Sequence, residues 1–98
     1  MVRHIVLWNL KETAEGKTKA ENAAIIKERL EALVGRIDGL LKAEVTVNYN
    51  PKGMDLCLYS EFADKAAQEH YQSHPLHQAV REYVHKVIET RVVHDSEI

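Results

Sequence analysis

The sequence lacks the disulfides that stabilise many very small proteins and the long apolar runs that anchor membrane proteins. It has one cysteine, two prolines and four glycines in 98 residues. Cys57 alone cannot form an intrachain disulfide, and the start of the chain lacks the basic-then-apolar pattern of a signal peptide. No apolar run approaches the ~20 residues that cross a bilayer. At this length a second core is excluded. These features predict one domain over residues 1–98, located in the cytoplasm, without a membrane partner.

An excess of one charge is also missing. Thirteen Lys and Arg stand against fifteen Asp and Glu, giving a formal net charge of −2. A nucleic-acid partner is therefore not expected, because no basic excess is available to neutralise phosphates. The chain also lacks a glycine-rich phosphate loop and a nucleophile elbow. Two common routes to nucleotide and ester chemistry are thereby excluded.

The spacing of apolar residues predicts the element order β-α-β-β-α-α-β. The predicted elements are a strand over Val2–Leu10, a helix from 18 to about 34, strands over 42–49 and 55–62, a helix from 63 to about 71, a helix after Pro75 and a last strand over about 87–94. Thr18 and Glu21 have the spacing of a capping box at the first helix. This order predicts an α+β, ferredoxin-like protomer, with a four-stranded antiparallel sheet and its helices on one face.

The first strand carries apolar side chains on both faces. Val2, His4, Val6 and Trp8 alternate with Arg3, Ile5, Leu7 and Asn9. Because the helices cover only one face, the face with Ile5 and Leu7 stays apolar and bare. Two copies can bury it by an isologous contact, so the sequence predicts a homodimer through the open sheet face.

The segment Tyr71-Gln-Ser-His74-Pro-Leu-His77 has the highest density of groups suited to proton transfer. A histidine pKa near 6.5 allows acid or base chemistry at neutral pH, and a tyrosine hydroxyl can donate to a carbonyl or a developing enolate. The alternative is structural. In that interpretation His74 caps the second helical segment, Tyr71 packs in the core and His77 lies on the surface.

His4 interrupts an apolar strand face, and we expect it either to line the same cavity as His77 or to be a hydrogen-bonded core or interface histidine. Val6 and Trp8 share its face and are candidate ligand contacts. For Trp8 the alternative is a contact with a helix or a dimer partner. Six histidines raise a metal hypothesis, but no H-E-x-x-H spacing occurs and Pro75 interrupts the helix that would align the histidines around it. No metal site is predicted.

The opening R-H-I-V-L-W, the helix after it, the strand pair and the motif Y-x-x-H-P-x-H together resemble the Dabb family, the stress-responsive dimeric α/β-barrel domains. The resemblance covers nearly the whole chain and implies ferredoxin-like protomers whose sheets pack face to face. One plant member of the family, olivetolic acid cyclase, performs a cofactor-free aldol condensation. The resemblance implies an acid–base role for His77, carbonyl orientation by Tyr71, and pocket positions for His4 and His74.

Three functional hypotheses follow. The first is a cofactor-independent acid–base enzyme, polyketide cyclase or lyase-like, acting on a small carbonyl compound. The alternative is a non-catalytic, stress-related dimer that binds a small apolar ligand or serves as a scaffold. Monooxygenase or haem chemistry is the third, by analogy with the wider superfamily. The first requires His77 and Tyr71 to converge on a pocket on the order of a few hundred Å³.

Overall fold

The computed structural model describes residues 1–98 as a sheet covered by helices. The elements are β1 (Val2–Leu10), β2 (Thr13–Ala14), β3 (Lys17–Thr18), α1 (Lys19–Glu31), β4 (Leu40–Val47), β5 (Leu56–Phe62), α2 (Lys65–Ser73), α3 (Pro75–Val87) and β6 (Ile88–Glu97). A four-stranded antiparallel sheet has the order β4-β5-β1-β6. The predicted ferredoxin-like fold class is confirmed. No helix is both long and apolar enough to cross a membrane.

The two faces of the sheet differ in cover. Every second residue of β1, from Val2 to Leu10, is buried, and the residues between them are half-buried. The buried face forms one core with apolar residues of α1 and α3, among them Ile26 and Val84. Strand β5 alternates in the same way. All helices therefore cover one face, and the face with Ile5 and Leu7 has no cover within the chain.

Helix α1 begins as the sequence predicts and ends earlier. The Thr18 hydroxyl accepts from the Glu21 backbone N–H, and the Glu21 carboxylate accepts from the Thr18 N–H. The expectation that the helix reaches about Val34 is wrong, because it ends at Glu31. Gly35, with a φ of +85°, lies in the turns that follow. Leu33 and Ile37 nevertheless remain buried in the core, so the apolar stripe continues after the helix has ended.

A small hairpin, β2–β3, precedes α1 within a stretch for which the sequence predicts no regular structure. Glu15 and Gly16 both have positive φ, 52° and 72°, as a two-residue type I′ turn requires. The Asn22 side chain donates to the Ala14 carbonyl at 3.1 Å and accepts from the Tyr83 hydroxyl. Buried Asn22 thus ties the hairpin to α1 and α3.

The break between α2 and α3 lies at His74. Its ψ of 133° is extended, and Pro75 opens α3 at a position where a missing N–H is harmless. On the other side of the core, β1 pairs with β6 so that Trp8 lies opposite Arg91 and His4 opposite Asp95. Directly opposed residues project from the same face of a sheet. Arg91 and Asp95 therefore lie at the edge of the helix-covered face, near the α2–α3 break.

Candidate active site

A cavity of about 60 Å³ lies between the sheet and the α2–α3 segment. The predicted site residues that line it are His4, Val6, Trp8, Tyr71 and His77. The sequence interpretation missed Gln72, Arg81, His85 and Arg91, which line it as well. The cavity therefore brings side chains of β1 together with Tyr71 and His77 of the Y-x-x-H-P-x-H motif, which lie on either side of the break between α2 and α3.

Tyr71 and His77 are neighbours in the cavity wall. Their ring centroids lie 4.1 Å apart, with 33° between the ring planes. Tyr71 is 2% exposed, and Phe62 supports its ring edge-on at 5.0 Å. Burial raises the pKa of Tyr71 well above its ordinary value of 10. The phenol therefore keeps its proton at neutral pH and can act only as a hydrogen-bond donor or a weak acid.

His77 is held as a neutral imidazole. Its Nδ1–H donates to the Gln72 carbonyl at 3.4 Å, and because a carbonyl can only accept, the Nε2 atom carries the free lone pair. Burial lowers the pKa of His77, and the positive charges of Arg81 and Arg91 lower it further, against the effect of the Gln72 hydrogen bond. At neutral pH, Nε2 is therefore available as a general base.

His4 is oriented by a carboxylate that the sequence interpretation did not single out. Its Nδ1–H donates to the Asp95 Oδ1 atom at 2.5 Å, and the Gln68 amide donates to the same oxygen at 2.9 Å. Desolvation raises the pKa of Asp95, but the hydrogen bonds from His4 and Gln68 outweigh it and leave the pKa below its ordinary value. The ionised carboxylate orients the His4 ring, and in the neutral imidazole with its proton on Nδ1 the Nε2 atom is the acceptor.

His74 does not line the cavity. Its Nδ1 atom accepts from the Leu76 backbone N–H at 3.1 Å and caps α3, and its ring meets His70 edge-on at 5.4 Å. This placement agrees with the structural alternative for His74. His77 differs from that alternative, because it lies in the cavity wall rather than on the open surface.

The cavity is smaller than the range on which the enzyme hypothesis relied. At about 60 Å³, it is well below the few hundred Å³ or more that small-molecule sites usually have. The rings of Trp8, Tyr71 and His77 all border this space. The structure brings together no group of three or more His, Cys, Asp and Glu side chains suited to a metal ion. The local chemistry is that of imidazoles, a phenol and guanidinium groups.

Solved structures with the same fold define the class to which the chain belongs. It is similar to a protein from Bacteroides fragilis described as dimeric, of unknown function and ferredoxin-like, with 32% identity, 99% of this chain and 95% of that chain covered and a TM-score of 0.81. It is also similar to a Dabb family protein of Mesorhizobium loti (25% identity, 99% and 95% covered, TM-score 0.76). The fold is that of these ferredoxin-like proteins.

The family follows from the sequence as well. The model of the stress responsive A/B barrel domain, Dabb, matches residues 2–98, and the chain belongs to this family. A hydroxynitrile lyase from Passiflora edulis shares the fold, with 17% identity, 99% of this chain and 92% of that chain covered and a TM-score of 0.83. A comparison with curated proteins gives no match.

Proposed function

We propose that this protein is a cofactor-independent acid–base enzyme acting on a small carbonyl compound. The Nε2 atom of His77 removes a proton from the carbon next to the carbonyl, and the C–H electron pair moves into the enolate. The Tyr71 hydroxyl donates to the carbonyl oxygen on which negative charge develops. The observation that carries the proposal is the placement of a neutral His77 and a protonated Tyr71 side by side in one cavity wall.

His4 supports the same chemistry from the opposite wall. Asp95 keeps the proton of His4 on Nδ1, so its Nε2 accepts a hydrogen bond from a ligand hydroxyl or a water. The cavity wall then includes the imidazole acceptors of His77 and His4 and the phenol donor of Tyr71, with His85 as a third imidazole. This is the set of groups required to hold a hydroxyl and a carbonyl on adjacent carbons or to interconvert them.

The volume of the cavity favours a lyase-like reaction over polyketide cyclisation. A space of about 60 Å³ accommodates the reacting groups of a short substrate and not a folded polyketide chain. The hydroxynitrile lyase from Passiflora edulis has the same fold. A carbon–carbon cleavage therefore comes first: the Nε2 atom of His77 takes the proton of a hydroxyl, the O–H electron pair forms the carbonyl, and the C–C bond breaks, so that a stabilised carbanion such as cyanide leaves and takes up the proton. A cyclase of the olivetolic acid type comes second.

The protein is further proposed to be a homodimer through the bare sheet face. Ile5, Leu7, Cys57 and Tyr59 are half-buried there, and Val92 is 53% exposed. These side chains form an apolar strip that no helix of the chain covers, and isologous packing would bury it. The relative from Bacteroides fragilis, 32% identical, is described as dimeric.

A non-catalytic dimer that binds a small ligand is the second candidate. It is favoured by the apolar part of the cavity wall, which includes Val6, Leu58 and Val84. Such walls hold a small apolar molecule without reacting with it. The two candidates differ in turnover and not in the existence of a binding site.

The test is hydrogen exchange at carbon. Acetone is incubated in D₂O with the protein, and loss of its methyl proton signal is followed by NMR, with acetone cyanohydrin as a parallel substrate for cleavage. We expect the wild type to accelerate one of the two reactions, and His77→Gln to reduce that rate by about 10²- to 10⁴-fold, the usual contribution of a positioned base. His70→Gln is the matched control, because His70 does not line the cavity.

Circular dichroism establishes that each variant is folded. Wild-type rates no greater than those of free imidazole, with both compounds still binding, would favour the non-catalytic candidate. Equal losses in His77→Gln and His70→Gln would contradict the assignment of the base.

A further inference from the structure

The charged side chains that line the cavity are all positive. Arg81 and Arg91 line it, and no Asp or Glu does. No arginine of the chain has a carboxylate oxygen within 4.0 Å. Arg81 and Arg91 differ from the others in that both line the cavity. Two guanidinium groups thus border the cavity without an ion pair. The charge of Asp95 reaches Arg91, but this carboxylate already accepts hydrogen bonds from His4 and Gln68.

The two arginines approach from different elements. Arg81 follows His77 by one turn of α3 and so lies on the same side of the helix. Arg91 lies opposite Trp8 in the β1–β6 pairing and projects from the helix-covered face. Both are exposed, which places their charges at the mouth. An anion between them would be held from the helix side and the strand side at once.

Trp8 adds a third unmatched donor. The residue is 4% exposed and lines the cavity, and its indole Nε1–H has no hydrogen-bond partner. Buried polar groups are normally paired, so an orphan donor next to a cavity indicates an acceptor that a ligand or water supplies. Arginine has donors only, and its planar fork matches a carboxylate in bidentate geometry. All three unmatched groups therefore favour a ligand rich in acceptor oxygens.

We propose that the cavity binds a small carboxylate, whose carboxylate group lies between Arg81 and Arg91 and whose enclosed oxygen accepts from the Trp8 indole N–H. Under the proposed function, on which this assignment of substrate class rests, the substrate is then a short oxo acid or hydroxy acid. Its carboxylate is anchored at the mouth, and its carbonyl or hydroxyl reaches Tyr71 and His77. The size of the cavity restricts the enclosed part to a few non-hydrogen atoms.

The test uses pyruvate and pyruvamide, which have nearly the same shape and differ in charge. The chain contains a single tryptophan, so its indole N–H resonance reports on the cavity without ambiguity. We expect pyruvate to shift this resonance with saturation and to bind more tightly than pyruvamide. Arg81→Gln and Arg91→Gln should each weaken pyruvate binding by about tenfold or more, the effect of losing a charge-assisted hydrogen bond.

Arg36→Gln is the matched control, because Arg36 is exposed, makes no ion pair and does not line the cavity. It should leave pyruvate binding unchanged. Equal affinities for pyruvate and pyruvamide, or an equal loss in Arg36→Gln, would overturn the proposal. Tighter binding of inorganic phosphate than of pyruvate would overturn the carboxylate assignment.

Binding and turnover are measured separately, so the two proposals can fail separately. Pyruvate binding that depends on Arg81 and Arg91, in a protein that accelerates no exchange or cleavage, supports the anion site and contradicts the enzyme. Catalysis on acetone or its cyanohydrin without selective pyruvate binding contradicts the anion site alone.

Discussion

The two faces of strand β1 differ in what the chain leaves without a partner, which is hydrogen-bonding groups on one face and apolar surface on the other. On the covered face, His4 and Trp8 line a cavity, and the Trp8 indole N–H has no hydrogen-bond partner. On the bare face, Ile5 and Leu7 leave apolar surface without a cover. One alternating strand therefore places hydrogen-bonding groups beside the cavity on one side and apolar area on the uncovered side. Substitutions on one face should affect binding chemistry, and substitutions on the other should affect assembly.

The largest effect is expected in the covered core beneath the cavity. Phe62 is fully buried and supports the Tyr71 ring. We expect Phe62→Ala to lower the free energy of unfolding by about 3–5 kcal/mol, the usual cost of removing a buried aromatic ring. Urea denaturation measures this loss. Thr90→Ala, at an exposed position of β6, is the control, and similar losses in both variants would show that the packing account is wrong.

A substitution on the bare face should change the oligomeric state of the protein rather than its catalytic rate. Leu7→Asp places a charge in the apolar strip and removes about 1.5–3 kcal/mol of favourable burial from each chain of the proposed dimer. We expect dissociation to monomers in sedimentation equilibrium. Val34→Asp changes an apolar residue that is 40% exposed outside this strip and should remain dimeric. A Leu7→Asp protein as dimeric as the wild type would contradict the proposed interface.

The hydrogen bond behind His4 should have a smaller effect, confined to the covered face. Asp95→Asn removes the charge that fixes the His4 proton on Nδ1. Because hydrogen bonds to charged groups contribute about 1.5–3 kcal/mol, we expect the catalysed rate to fall by roughly 10- to 100-fold with the dimer intact. Asp38→Asn, at an exposed position that does not line the cavity, controls for charge. A wild-type rate in Asp95→Asn would show that the hydrogen bond from His4 to Asp95 does not contribute to the reaction.

The smallest expected effect is the pH response of His77. Its folded-state pKa lies below 6.5, chiefly because of burial, so the unfolded chain binds this proton more readily than the folded chain. Its contribution to stability is therefore complete above pH 6.5 and decreases as the pH falls through 6.5 toward the lower folded value. NMR titration of the His77 ring and urea denaturation of His77→Gln measure both effects. A pKa above 6.5 would contradict the account.

The local patterns in the sequence predicted most of the fold. Alternation predicted the two faces of β1, and Thr18 and Glu21 marked the start of α1, because these features depend on neighbours in the sequence. The end of α1 and the β2–β3 hairpin escaped prediction, since both depend on the backbone conformation of single residues such as Gly16 and Gly35.

The candidate site was only partly predictable. Tyr71 and His77 could be identified from one short motif. Asp95 and Arg91 could not, because they meet His4 and Trp8 only through the register of β6 on β1, which no local spacing encodes. Arg81 lies one helical turn after His77, and an i, i+4 comparison could have found it. The size of the cavity depends on how the buried rings pack, which the motif does not determine.

The most direct test of the central claim is a double-mutant cycle in the exchange or cleavage reaction, with wild type, His77→Gln, Tyr71→Phe and the double variant. If both side chains act on the same proton transfer, the double variant should be about as slow as His77→Gln alone, because effects within one catalytic unit are not additive. Fully additive losses would mean that the two residues act independently, and would contradict the account.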